Sequence, residues 1–273
     1  MADEPLQTIP DPEEEEGGPV KTFLEHLEDL RWVLIKCFAA LLLGMVACFA
    51  AGNYIVDFLE LPLEKSNSGI RLETLGPVGG ISIIMKIGLY GGITIALPAI
   101  IYFIAEFVLP ALKRHEKRYF KIAFTIGTGL FLAGLSLCYF FILEISLRGL
   151  VAFNRWLGLD ATMWNSADYF SFVIMFMVGM GLSFEVPVLV LSLVRLGIIS
   201  HETLVKSRMY IFVANLVLCA FITPDTVSTI FMVVPVQILM EICILISKYW
   251  DRQKKIAEAA ALTASKQLES GAS

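Results

Sequence analysis

A chain of 273 residues in which 57% are hydrophobic and 17% charged, with a mean hydropathy of +0.73, departs from soluble proteins. Those average roughly 45–50% apolar and about 25% charged residues. An ordinary soluble domain is excluded and a polytopic membrane protein indicated. The formal charge of −5 comes partly from Glu13–Glu16 and other tail acids and says little about orientation.

Residues 1–20 carry prolines, the glutamate run and Gly17-Gly18, the composition of a disordered acidic leader. Structure is expected from Thr22, which forms a capping box with Glu25. The helix that follows sets Phe23, Leu27, Leu30 and Leu34 on one face and runs along the membrane surface into the first span. Apolar stretches near Val33–Gly52, Ile81–Ile104, Ile122–Glu144, Tyr169–Val194, Met209–Ile222 and Thr229–Ser247 predict six spans, most close to the ~20 residues a hydrocarbon core requires. The fifth is short, with only sixteen residues between Arg208 and Asp225. It must stand upright, thin the bilayer or shelter against its neighbours.

The first external loop, of about 28 residues, is punctuated by Pro62, Asn67, Gly69 and the run Gly76-Pro77-Val78-Gly79-Gly80. The second, Ser146–Asp168, leads to a belt of Trp156, Trp164 and Tyr169. The third, around Thr223-Pro224-Asp225, is very short. After Trp250 a charged, alanine-rich tail can extend as a helix. The organisation predicted is a leader (1–20), an all-α six-span domain (21–250) and a tail (251–273). No internal repeat is evident, so the inverted-repeat architecture of many transporters is not indicated.

The loops and segment ends on the side of the termini hold 16 of the 21 basic residues. The other side has Lys65, Arg71, Lys86, Arg148 and Arg155, which predicts that both termini are cytoplasmic. No cleavable signal peptide is legible, so the chain is expected to keep its N-terminus. Cys37, Cys48, Cys138, Cys219 and Cys243 lie in or beside apolar segments without metal-ligand spacing and read as small buried hydrophobes.

Within the run from Tyr169 to Val194, Phe184-Glu185-Val186-Pro187 places a carboxylate beside a helix breaker. Burying that charge costs at least ~2.5–3.5 kcal/mol, which points to function, the alternative being a silent pair with another helix. Glu185 stands about 24 Å from Tyr169 and 15 Å from Arg195 at a rise of ~1.5 Å per residue, too deep to snorkel. The proline frees a backbone carbonyl and bends the helix.

Several motifs fall in a characteristic order: His26-Leu27-Glu28-Asp29-Leu30-Arg31, Phe107-Val108-Leu109-Pro110-Ala111-Leu112, His115-Glu116-Lys117-Arg118, Ser183-Phe184-Glu185-Val186-Pro187, Arg208-Met209-Tyr210, Thr223-Pro224-Asp225, and late Pro235 with Glu241. In these, over about residues 20–250, the chain resembles the TatC family, the multispanning receptor subunits of the twin-arginine protein translocase. The resemblance implies a concave, glove-like arrangement of six helices in the inner membrane. It implies a non-enzymatic receptor that captures folded precursors through Arg-Arg signal peptides. It also implies a hetero-oligomer with single-span TatA- and TatB-like subunits, driven by the proton-motive force, with no cofactor, metal or nucleic acid. No Gly-rich phosphate loop is present in the sequence.

By the same resemblance Asp29 and Glu116 accept the arginine pair, with Arg31 in the same motif and Phe107 beside the binding surface. The chemistry fits, because a planar guanidinium is matched by a carboxylate accepting two hydrogen bonds, a geometry Lys lacks. On the residues alone, Glu116 can equally form an i−3 surface pair with Lys113, worth ~0.2–0.5 kcal/mol, and Asp29 can belong to a solvated face. Glu106 is a candidate supplement to the acidic site. Glu185 is implied as a polar anchor for the signal or for a partner helix. Asp225, Pro224 and Pro62 are implied in translocation or partner contact, although Asp225 also reads as a turn residue and Pro62 as a shaper of the first loop. Lys86 and Glu241 read as snorkelling side chains, Glu241 toward Lys248.

Two rivals differ in class. An intramembrane hydrolase is disfavoured, since His26, His115 and His201 fall outside the apolar stretches and no acid pairs with Glu185 as a dyad. A proton-coupled small-solute transporter would use Glu185, Glu144 and Glu241 as a relay.

Overall fold

The computed structural model describes residues 23–66, 69–108, 114–159, 162–223 and 225–271. The predicted leader, with Thr22 of the capping box, lies outside them, as do Pro110 and Pro224. Ten α-helices and two short strands follow in order: α1 (Phe23–Ala50), α2 (Gly52–Lys65), β1 (Arg71–Glu73), α3 (Gly79–Lys86), α4 (Gly92–Val108), α5 (Arg114–Leu137), α6 (Leu143–Trp156), β2 (Met163–Asn165), α7 (Ser166–Arg195), α8 (His201–Lys206), α9 (Arg208–Ile222) and α10 (Thr226–Gly271). One π-helical turn, Ile87–Gly91, fuses α3 to α4, and another, Cys138–Ile142, fuses α5 to α6. Such turns insert a residue without ending the helix. Among the described residues, five helical stretches are long and apolar enough to cross a bilayer: Leu24–Ala50, Gly79–Phe107, Lys121–Trp156, Ser166–Arg195 and Thr226–Gln253. The remaining predicted span, the fifth, is the shorter apolar α9 of 15 residues.

The third crossing outruns its predicted end at Glu144 and continues to Trp156, so the first part of the predicted second loop is helix. Glu144 and Arg148, one turn apart and 2.6 Å between charged atoms, support the extension. The first external loop also holds more structure than its turn residues suggested. It folds into α2 and β1, and β1 pairs in parallel with β2, Arg71 facing Met163 and Glu73 facing Asn165.

Pro62, expected to shape a loop, is buried inside α2. A proline there removes the N–H that would bond the carbonyl four residues earlier, that of Phe58. The Tyr139 hydroxyl donates to that carbonyl at 2.8 Å, and the Tyr169 hydroxyl donates to the next one, of Leu59, at 2.8 Å. The helix therefore survives its proline and is tied to the third and fourth crossings.

At the centre lies α7, packed against α3, α5, α9 and α10, while α1 packs chiefly on α4. Phe170, Phe176 and Met180 of α7 are fully buried with Phe131 of α5 and Met232 and Met240 of α10. Glycines set the approach: a Cβ on Gly44 of α1 would stand 2.6 Å from the Gly92 carbonyl oxygen of α4. Cys48, Cys138, Cys219 and Cys243 are buried and Cys37 is partly so, all as free thiols.

Candidate functional site

Two places gather the predicted site residues. The first is the corner where α1 begins and α4 ends. His26 of α1 and Phe107 of α4 stack with ring centroids 4.3 Å apart and planes 17° from parallel. Asp29 is partly buried one helical turn beyond His26, on the same face, and Arg31 is exposed. Two turns on, Lys36 bonds Glu106 at 3.2 Å, its ammonium 5.7 Å from the centre of the Phe103 ring. Glu106, expected to add to the acidic site, is thus engaged by a cation from α1. The signal for that pair was Lys36 itself, a lone cation in an apolar segment that had to find an acid.

Glu116 belongs to α5, which starts at Arg114 on this same end of the bundle, but its side chain lies outside the described residues. The corner as described is a carboxylate beside an aromatic stack. That combination suits a planar cation, which can take hydrogen bonds in its plane and ring contact on its face.

The second place is mid-span on α7. Glu185 Oε1 is buried and has no hydrogen-bond partner among the described residues. Gly127 of α5 makes the room, since a Cβ there would stand 2.8 Å from Glu185 Oε2. The hydroxyl of Thr128, next in sequence, is likewise buried without a partner among the described residues. The silent pair considered for Glu185 is therefore not seen among the described residues, and the α5–α7 seam offers hydrogen-bonding capacity to something else.

The other acids of the relay reading carry their own cations. Glu144 holds Arg148, and Glu241 receives both Nε and Nη2 of Arg208, the Nε contact being 2.8 Å. Glu241 was expected to snorkel toward Lys248; it clamps the start of α9 to α10 instead. Lys86, also expected to snorkel, donates to the Ser171 hydroxyl at 2.5 Å.

At the α9–α10 turn Asp225 acts as a helix cap, its Oδ2 accepting from the Ser228 N–H at 2.6 Å. Its carbonyl accepts from the Thr229 hydroxyl, which meets Thr223 Oγ1 at 2.6 Å. The structure leaves Asp29 and Phe107 in one corner, Glu185 in mid-span, and Pro62 and Asp225 in the connections between crossings. Among the described residues no group of three or more His, Cys, Asp or Glu is placed to hold a metal ion.

Comparison with known proteins supplies the remaining observation. The family model described as Sec-independent protein translocase protein (TatC) matches residues 25–235. A Sec-independent protein translocase protein TatC of Aquifex aeolicus is 37% identical over 237 residues, covering 86% of this chain and 98% of the relative. One of Carboxydothermus hydrogenoformans is 34% identical over 231 residues, covering 84% and 93%. A crystal structure of the twin arginine translocase receptor TatC in DDM superposes with a TM-score of 0.73 at 35% identity, over 81% of this chain and 99% of that one.

Proposed function

This chain belongs to the TatC family of Sec-independent protein translocase proteins, and on that premise we propose that it is the core receptor that captures Arg-Arg signal peptides. As a family member it is a multi-pass membrane component of a protein translocase and not a catalyst. The proposal adds an inner-membrane location with both termini cytoplasmic, assembly with several single-span TatA- and TatB-like subunits, and export driven by the proton-motive force.

The observation that carries the reading is the corner of α1 and α4. Asp29 stands one turn from the His26–Phe107 stack, at the end of the bundle from which α5 brings Glu116. In this reading Asp29 and Glu116 take the two guanidinium groups and Phe107 lies under them, with Arg31 bordering the site. Glu185 receives a polar group of the inserted signal or of a partner helix, and Pro62, Pro224 and Asp225 serve the external side during translocation.

The test is binding of a labelled Arg-Arg signal peptide to the full chain in lipid, with a Lys-Lys peptide as control. Preference for Arg-Arg is expected, and Asp29→Asn or Glu116→Gln should each weaken it about tenfold, the worth of one hydrogen bond to a charged group. Equal affinity for both peptides, or wild-type affinity in both variants, would remove these acids from the site.

A further inference from the structure

Helices α5, α7 and α10 enclose a groove of 490 Å³ that begins about one turn from Glu185 and runs to the end where α7 stops. Its walls are aliphatic, with Ile126 and Leu130 on α5, Val188 and Leu191 on α7, and Ile242 and Ile246 on α10. Two polar side chains in the wall are already engaged within it. The Ser192 hydroxyl donates to the Val188 carbonyl at 2.8 Å, and the Cys243 thiol to the Pro187 carbonyl at 3.5 Å. The body of an occupant is offered only apolar contact there.

The groove turns polar at one end. Arg195, the last residue of α7, holds its guanidinium 4.8 Å from the centre of the Trp250 ring, and both line the groove. Lys121, which precedes the lining residue Ile122 on α5, is exposed. This is one cationic rim and one apolar shaft.

Its length identifies the occupant. From Leu239 to Trp250, the limits of the lining on α10, the helix rises about 16 Å. That is half of a hydrocarbon core of ~30 Å, the depth of a single leaflet. A partner's transmembrane helix crosses both leaflets, about twice the length of the groove.

We infer that the groove holds one acyl chain of an anionic phospholipid from the leaflet on the side where α7 ends. Arg195 binds the phosphate in the plane of its guanidinium while its face rests on Trp250. Trp250 sits at headgroup level, as interfacial tryptophans do. The charge of Arg195, with Lys121 beside the lining, favours a net negative headgroup over a zwitterionic one.

The test uses native mass spectrometry of the delipidated full chain, titrated with phosphatidylglycerol or with phosphatidylcholine of identical chains. One tightly retained phosphatidylglycerol is expected, preferred over phosphatidylcholine. Arg195→Gln should lower that preference about fivefold, the share of one basic residue near a charged leaflet, while chain binding persists. Val188→Trp, which fills the shaft, should abolish retention of both lipids. If gel filtration shows that Val188→Trp does not fold, Arg195→Gln at the exposed helix end decides alone. No retained lipid, as expected if a protein helix owns the groove, or an unchanged preference in Arg195→Gln would overturn the inference.

Discussion

Glu185 owes its position to the absence of a side chain at Gly127. Mid-span carboxylates cost at least ~2.5–3.5 kcal/mol, and this one has a buried oxygen without a partner among the described residues. In the proposed function that oxygen takes a donor from outside the chain. Gly127→Ala would bring a methyl to 2.8 Å from Oε2, so the carboxylate must swing away or α5 must shift. Because the atom met is the end of a flexible side chain, the expected result is a loss smaller than the ~1–3 kcal/mol of rigid overpacking, with normal first capture of a signal peptide but altered crosslinks deeper in the bilayer. Unfolding midpoints together with site-specific crosslinking check this; a stable variant with unchanged crosslinks would mean that the carboxylate does not depend on the seam. Glu185 was legible in the sequence because a charge inside an apolar run is conspicuous. The partner of Glu241 was not, because Arg208 lies 33 residues away and chain order does not say which charges a helical hairpin will bring together.

At the scale of elements, the periodic signals were the readable ones. Apolar length gave the crossings, but Pro62 and the glycines near it suggested a loop where α2 forms. Local sequence could not reveal that Tyr139, 77 positions after that proline, satisfies the carbonyl it frees. The α1–α4 crossing depends on contacts of the same non-local kind. Gly44→Ala would place its methyl 2.6 Å from a backbone oxygen that cannot rotate aside, and about 1–3 kcal/mol of destabilisation is expected. Gly129→Ala, with nothing within 4 Å of the added carbon, is the matched control; equal melting temperatures for the two variants in detergent would contradict the tight crossing. The outer helix α2 carries a pH dependence. Burial, then the nearby Asp57 and Glu64, raise the Glu60 carboxyl above its ordinary 4.5. The folded state therefore binds its proton more tightly than the unfolded state. That stabilisation is complete below about pH 4.5 and is lost as pH rises through the folded value. Glu60→Gln should consequently gain on wild type as pH rises from 4.5 to 8 in thermal unfolding, and parallel curves for the two proteins would show that Glu60 is not the group responsible.

Over the whole molecule, the number and order of the crossings could be read from hydropathy alone, whereas the layer of α2, β1 and β2 that is tied to the third and fourth could not, since the bonds that hold it join distant segments. The crossings are unequal in a way that bears on how the protein sits in lipid. Five candidate spans run from 27 to 36 residues and can tilt to fit almost any bilayer. By contrast α9 has 15 residues, about 22 Å at 1.5 Å per residue, against a core of ~30 Å. Its start is pinned by the Arg208–Glu241 clamp and its end by the Thr223–Thr229 and Asp225–Ser228 bonds, so it cannot lengthen by sliding along α10. If α9 spans the core, the bilayer thins around the α9–α10 hairpin, at fractions of a kcal/mol per Å of mismatch, and Phe221, 84% exposed at the end of α9, meets that thinned region. Thickening the host bilayer from about 27 to about 33 Å should therefore loosen this hairpin before any other part of the fold. Hydrogen exchange would show it as faster exchange at residues 225–229 with the α5–α7 seam unchanged; exchange there that is indifferent to thickness would mean that α9 does not span the core but rests in the shelter of its neighbours.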